Sequence, residues 1–254
     1  MLFPDNFIYP MKNTRVFPHA MMLASLIFSG AAITAKAGTI NYVDWSSDNL
    51  GAGDVYGTLP GGINVTYSGE INFDQLNDAG TYWYTNASRV PGSGSEYTNN
   101  AVISNTPSTT DMIAINGNGT TDTFTFSSPV TDPVMLLVSL GDDFGYPTTY
   151  TFNTNISILS DGPGWWGGPG ILNPIGTNAV QGIEGDGSIE FVGTYSSISF
   201  STAYGESWNG FTIGVPAGVP VGVPDTASTL TLLASGLLAL SFWKTSRKAA
   251  GSQT

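Results

Sequence analysis

Val134-Met135-Leu136-Leu137-Val138 is apolar at five successive positions, and this run decides the fold: it reads as a central strand covered on both of its faces. Around it the pattern changes. Thr123-Phe124-Thr125-Phe126 and Ser197-Ile198-Ser199-Phe200 alternate with period two, which buries one face of a strand and wets the other. Further candidate strands are Thr39 to Trp45, Ile63 to Tyr67, Ile71 to Phe73, Tyr82 to Thr85, Met112 to Ile115, Ile156 to Leu159, Ser188 to Val192 and Phe211 to Val215, and the central strand itself is expected from Val134 to Leu140. Between Gly38 and Pro224 lie 29 of the chain's 32 glycines, about 15% against a typical ~7%. With abundant Thr, Ser, Asn and Tyr and no long helical period, the expectation is all-β: one β-sandwich over residues 38–214, of jelly-roll type. A domain of this length buries enough apolar surface to fold alone. No internal repeat is evident.

Charge divides the chain into three parts. The formal net charge is −12, yet of seven basic residues only Arg89 falls between Gly38 and Pro224, against 17 acidic ones. So acidic a segment repels phosphate backbones, which excludes nucleic acid as a partner. There is no cysteine, and the one histidine, His19, lies outside that segment, as does every lysine. Cysteine nucleophiles, Ser-His-Asp triads, His or Cys zinc sites and Schiff-base chemistry are therefore closed to it. Carboxylates, hydroxyls and one arginine remain. A domain without disulfides must be held by its core and loop packing.

Both ends carry addresses. Lys12 and Arg15 precede an apolar run from Ala20 to Ile33, followed by Ala35-Lys36-Ala37, the layout of a secretory signal peptide. Residues 1–37 are thus expected to be removed by signal peptidase, Ala35 and Ala37 supplying the small residues at the cut. At the other end the Pro/Gly/Val linker, residues 215–222, leads into Val223-Pro224-Asp225-Thr226-Ala227-Ser228-Thr229, an apolar stretch to Trp243, and then Lys244, Arg247 and Lys248. Residues 226 to 243 are 18 positions without a charge, at the short end for a membrane-spanning helix. The basic residues behind them would hold that end in the cytoplasm, placing the domain outside.

This tail resembles the PEP-CTERM class of sorting signals, and most closely its VPDSG variant. Val223, Pro224, Asp225, Ser228 and Thr229 fit the pattern, whereas Thr226 and Ala227 stand where the variant has Ser and Gly. The resemblance covers residues 223–248, with 249–254 as a short tail. It implies an exosortase-type membrane enzyme as partner, passage through the membrane during sorting, and a host that makes exopolysaccharide. Residues 125–141 and 207–215 resemble, in the same way, exported β-sandwich proteins of the choice-of-anchor kind. Pro129 and Pro133 bracket Val130-Thr131-Asp132 and are expected to fix a turn between two strands.

Two kinds of site stand out. Asp142 and Asp143 directly follow the central strand, where a loop can offer oxygen ligands to calcium, with Asp111, Glu184 and Asp186 as further donors in space. Calcium is the only cofactor these residues suggest; no Asp-x-Asp-x-Asp-Gly run is present. The glycine-rich loop Gly162 to Gly170 carries Trp165 and Trp166, and indole faces on a loop suit sugar rings. Packing against the sandwich is the competing reading. Trp45, Trp83 and Trp208 read as core or edge packing, and Arg89 as half of an ion pair. Asn64-Val65-Thr66 and Asn155-Ile156-Ser157 match the N-glycosylation pattern, at a frequency this composition gives by chance.

The expected protein is accordingly an exported, non-enzymatic surface or matrix protein, membrane-associated through its C-terminal helix during sorting, that binds polysaccharide at Trp165 and Trp166. Two alternatives are a glycan hydrolase using a pair from Glu184, Glu190 and Glu206, and a calcium-dependent surface lectin.

Overall fold

The computed structural model describes residues 38–78, 80, 83, 96–98, 102–107, 111–142, 144 and 146–218. The signal-peptide residues with Ala35 and Ala37, the sorting motif Val223, Pro224, Asp225, Ser228 and Thr229, the basic residues Lys244, Arg247 and Lys248, Arg89 and Asp143 lie outside them. So does all of the expected strand from Tyr82 to Thr85 except Trp83, which is in no strand.

The described residues are all-β, with fifteen strands: β1 Ile40–Tyr42, β2 Asp44–Asn49, β3 Asp54–Leu59, β4 Ile63–Ser68, β5 Phe73–Gln75, β6 Met112–Ile115, β7 Thr121–Thr131, β8 Val134–Leu140, β9 Thr148–Phe152, β10 Ser157–Pro163, β11 Ile171–Ile175, β12 Ala179–Ile183, β13 Gly185–Glu190, β14 Thr194–Ala203 and β15 Asn209–Pro216. They form two antiparallel sheets. One has the order β10-β13-β8-β15-β6-β5, with β1 also on β15; the other runs β11-β12-β9-β14-β7-β4-β3-β2. Among the described residues no helix is long and apolar enough to cross a membrane.

The faces of β8 explain its unbroken apolarity. Met135, Leu137 and Leu140 join the core between the sheets, with Phe124, Tyr150, Phe200 and Phe211. Val134, Leu136 and Val138 point the other way, into a second cluster with Trp83, Tyr97, Ile103 and Met112. Trp83, Tyr97 and Ile103, which lie between β5 and β6 in the sequence, thus help to cover the outer face of this sheet, as the apolar run requires. In the inner core Tyr150 stacks on Phe200 with centroids 4.7 Å apart, and Phe124 meets Phe211 edge-on at 5.7 Å, arrangements that aromatic quadrupoles favour. Trp45 is fully buried and donates its indole N–H to Thr212 Oγ1 at 3.1 Å.

Two expectations about local structure are corrected. The strand read from Thr39 to Trp45 is two strands in different sheets, β1 on β15 and β2 on β3. The crossing is at Val43, whose N–H bonds Ile213 O at 2.9 Å. Pro129 does not open a turn; it lies inside β7, where the register against β14 slips between Tyr195 and Ser197. A residue with no N–H is tolerated at such a bulge because it is not asked to fill a rung of the ladder. The turn itself is Asp132-Pro133, with Asp132 at φ 48 and its Oδ1 accepting from Gly193 N at 2.7 Å.

Candidate functional site

Because the sheets are antiparallel, the connections β4 to β5, β6 to β7, β8 to β9, β10 to β11, β12 to β13 and β14 to β15 all leave from one end. That end collects Glu70, Asp122, Asp142, Glu184, Asp186 and Glu206. Several of them organise the loops. Glu70 Oε2 accepts from Gly117 N and Asn118 N, both at 3.0 Å, while its Oε1 accepts from Asn116 N at 3.2 Å; successive amide groups in a turn make an anion cradle of this kind. Asp122 Oδ1 accepts from the Tyr67 hydroxyl at 2.7 Å and from Glu70 N at 2.8 Å.

Glu184 and Glu206 meet at Gly141. Glu206 Oε1 accepts from Gly141 N at 2.7 Å and from Asn209 Nδ2 at 2.8 Å. Glu184 donates its N–H to Gly141 O at 3.0 Å, and its Oε2 accepts from Ser139 Oγ at 2.7 Å. Burial, with the Glu184 charge as a lesser cause, pushes the Glu206 carboxyl up to about 7. Glu190 is not part of this group: it pairs with Val134 at the opposite end of β8.

Ser139 and Glu184 both adopt positive φ, 55° and 46°, where β8 and β13 slip register between Gly185 and Gly187. The slip costs Ser139 its ladder partner, and Asp186 Oδ1 takes the Ser139 N–H at 3.0 Å. Burial, the largest cause, pushes Asp186 up to about 7.

Of the expected calcium donors, Asp142, Glu184 and Asp186 share the loop end, while Asp143 lies outside the described residues. Asp142 Oδ1 closes a local turn, accepting from Phe144 N and Tyr146 N at 3.0 Å each. Asp111 belongs to the far end, where it holds Trp45 N at 3.2 Å and Asp78 N at 3.0 Å. Among the described residues no group of three His, Cys, Asp or Glu side chains is arranged to hold a metal ion. A hollow of about 470 Å³ beside β1 is also at the far end. Its polar lining serves the chain, Asn105 Oδ1 accepting from Ile40 N at 2.7 Å and Tyr42 donating to Asn105 O at 3.0 Å.

Aromatic rings rim the loop end. Trp165 and Trp166 are half-buried, and Trp166 packs against the outer cluster. Trp166 meets Trp208 edge-on, centroids 5.1 Å apart at 90°, and Trp208 leans on Phe73 at 5.6 Å. Trp208 packs against the same cluster, as the sequence suggests, and is also the half-buried middle of a ridge running Trp166, Trp208, Phe73. On the neighbouring loops Phe144 is 86% exposed, Tyr146 65% and Tyr204 71%. Tyr204 sits at φ 67, uncommon for a bulky residue, with its carbonyl accepting from Thr148 Oγ1 at 2.8 Å. Sequence reasoning missed these three. The available signal was an aromatic beside glycine in a turn-rich stretch, as in Phe144-Gly145-Tyr146 and Tyr204-Gly205. Their shared end follows only from the topology.

The short loop 204 to 208 ties the parts together: Tyr204 is exposed, Glu206 turns in to Gly141, and Trp208 joins the ridge. Such an arrangement presents flat apolar faces beside hydrogen-bonding carboxylates. No protein-family model, no curated protein and no solved structure matches the chain.

Proposed function

We propose that this chain is an exported surface or matrix protein that holds polysaccharide at its loop end without turning it over. The carrying observation is the set of exposed rings Phe144, Tyr146 and Tyr204 at the same end of the sheets as the ridge of Trp166, Trp208 and Phe73. Rigidly based loops bearing aromatic faces are a common way to bind flat, half-apolar ligands such as sugars. The order β13-β8-β15-β6 facing β12-β9-β14-β7 supports a jelly roll as the scaffold, with β10 and β11 as an inserted pair. Export rests on the sequence: a signal peptide cut after Ala37, and a C-terminal helix and VPD motif handed to an exosortase-type enzyme.

Retardation of the full chain in gels containing a panel of polysaccharides tests the binding. Migration unchanged by every member of the panel would refute it. Intact mass measurement of the protein recovered outside its host tests the export reading, which fails if residues 1–37 are still attached.

A second reading, glycan hydrolysis, is favoured by one arrangement: Glu206, whose carboxyl burial pushes up to about 7 as in a general acid, and Glu184 are both hydrogen-bonded to Gly141. It predicts release of reducing ends from a bound glycan and loss of that release in Glu206→Gln. A bound glycan that stays intact on long incubation rules it out.

A further inference from the structure

We infer that the hollow beside β1 is a second binding site, and that it takes an extended peptide segment of a partner chain, seated by its backbone on the strand edge at Tyr42. The hollow lies at the end of the strands opposite the exposed rings, so the inference goes beyond the glycan-binding reading and does not depend on it.

Every residue from Thr39 to Asp44 lines the hollow. A hollow opening on a face of the strand would be lined by alternate residues; an unbroken run means that it opens on the edge. Hydrogen bonds alternate along an antiparallel pair. Thr39 O accepts from Ala217 N at 2.7 Å and Val43 N donates to Ile213 O at 2.9 Å, with Asn41 opposite Val215 between them. The N–H and C=O of Ile40 and Tyr42 are therefore turned away from β15. The Asn105 carboxamide fills the first of these two rungs, its Oδ1 accepting from Ile40 N at 2.7 Å and its Nδ2 donating to Ile40 O at 3.0 Å. This edge thus already takes an amide. The next rung, the N–H and C=O of Tyr42, has no such partner among the described residues. Thr106 is an independent sign of a missing ligand. It lines the same hollow and is only 7% exposed, yet its Oγ1 is buried without a hydrogen-bond partner, a costly state for a hydroxyl unless a ligand completes it. A peptide residue presents its N–H and C=O at the spacing that one rung requires. The volume, about 470 Å³, is in the range of ligand sites. Adding a strand to an open edge is a recurring way to hold a peptide, in which main-chain bonds give affinity and side-chain pockets choose the sequence.

The test uses the full chain and a panel of hexapeptides that alternate Val with Thr, Ser, Tyr or Leu, dye-labelled and read by fluorescence anisotropy. Both ends are capped, so that terminal charge plays no part. Each peptide is also made with N-methyl groups on its odd or on its even residues. The expected result is binding of at least one hexapeptide, weakened about tenfold by one methylated set and tolerant of the other, because only one edge of the peptide faces β1. Thr106→Val keeps the branched shape and removes the hydroxyl. It should weaken peptide binding severalfold while leaving the melting temperature of the peptide-free chain unchanged or higher. Thr39→Trp, at an exposed position in the lining, should fill the hollow and abolish binding. The inference is overturned if no hexapeptide binds, if both methylated sets bind as the parent peptide does, or if binding survives Thr39→Trp. A lower melting temperature in Thr106→Val would show the hydroxyl to be paired within the fold and would overturn it as well. None of these results bears on polysaccharide retention at the loop end.

Discussion

Tyr97 donates its hydroxyl to Asp186 Oδ1 at 2.9 Å, and both side chains are fully buried. The bond fastens the segment around Tyr97 to the outer face of β13, on a carboxylate that burial pushes up to about 7. In the unfolded chain such a group titrates near 4. The native state therefore binds the proton more tightly between about pH 4 and 7. Stability that is complete at the acid end of that window is lost as the pH rises through it. Glu206, raised to about 7, and Asp111, raised to about 6, act in the same direction. Thermal melts should show the protein less stable at pH 8 than at pH 4.5. Asp186→Asn keeps the acceptor for Tyr97 and Ser139 and removes the ionisation. It should flatten the profile and stabilise the protein at pH 8 by about 2 kcal/mol. An unchanged slope in that variant would place the titration elsewhere.

The two faces of β8 make a sharper test of the architecture. Leu137 is in the core between the sheets and Leu136 in the cluster outside. Were the outer cover loosely held, Leu136→Ala would cost little. With both faces sealed, each truncation should cost about 2–5 kcal/mol, measured by chemical denaturation. A Leu136→Ala cost below about 1 kcal/mol would mean that Trp83, Tyr97 and Ile103 do not seal that face.

How much of this was legible in the sequence depended on whether burial left a periodic trace. Val134 to Leu140 did, because both neighbours of β8 are apolar layers, and the strand was read to its observed ends. The strands β3, β11 and β12 left little trace, and β9 is missed although Thr149-Tyr150-Thr151-Phe152 alternates as Thr123 to Phe126 does. Asp54–Leu59 mixes Gly and Thr with single apolar residues, and β11 contains Pro174, acceptable because β11 is an edge. In β12, Gly182 replaces a side chain because a Cβ there would lie 2.1 Å from Leu140 O, a close approach that no alternation reports. The meeting of Glu184 and Glu206 at Gly141, one through its backbone and the other through its carboxylate, is half legible: the sequence offers both residues but groups Glu190 with them, because only strand direction sends it to the other end.

Gly164 reports on the seat of the tryptophan loop. A Cβ added there would lie 1.9 Å from Asp186 Oδ2, and that carboxylate cannot swing away, being held by Tyr97 and Ser139. Gly164→Ala should therefore displace the loop and cost about 1–3 kcal/mol, with a red shift in tryptophan emission as Trp166 leaves Trp208. Gly167→Ala meets nothing within 4 Å and bears only the strain of φ 107, so its emission should stay as in the parent. Identical spectra for the two variants would show that the loop does not rest on Asp186.

The exposed rings can be separated from the fold more cleanly still. Phe144, Tyr146 and Tyr204 are each more than half exposed, so replacing any one by Ala removes little buried surface and should change stability by no more than about 0.5 kcal/mol. Each should nonetheless weaken polysaccharide binding by about 1 kcal/mol, roughly fivefold in Kd, if a sugar ring lies on it. Tyr204 allows a further control. At φ 67 a tyrosine is strained where glycine is not, so Tyr204→Gly should leave stability unchanged or raise it while still losing affinity. Tyr204→Phe retains the ring and should retain binding. If Tyr204→Phe instead lost as much affinity as Tyr204→Gly, the hydroxyl would be the binding element and the stacking argument would fail at that position. If all three Ala variants bound as the parent does, the ligand would have to lie on the ridge of Trp166, Trp208 and Phe73.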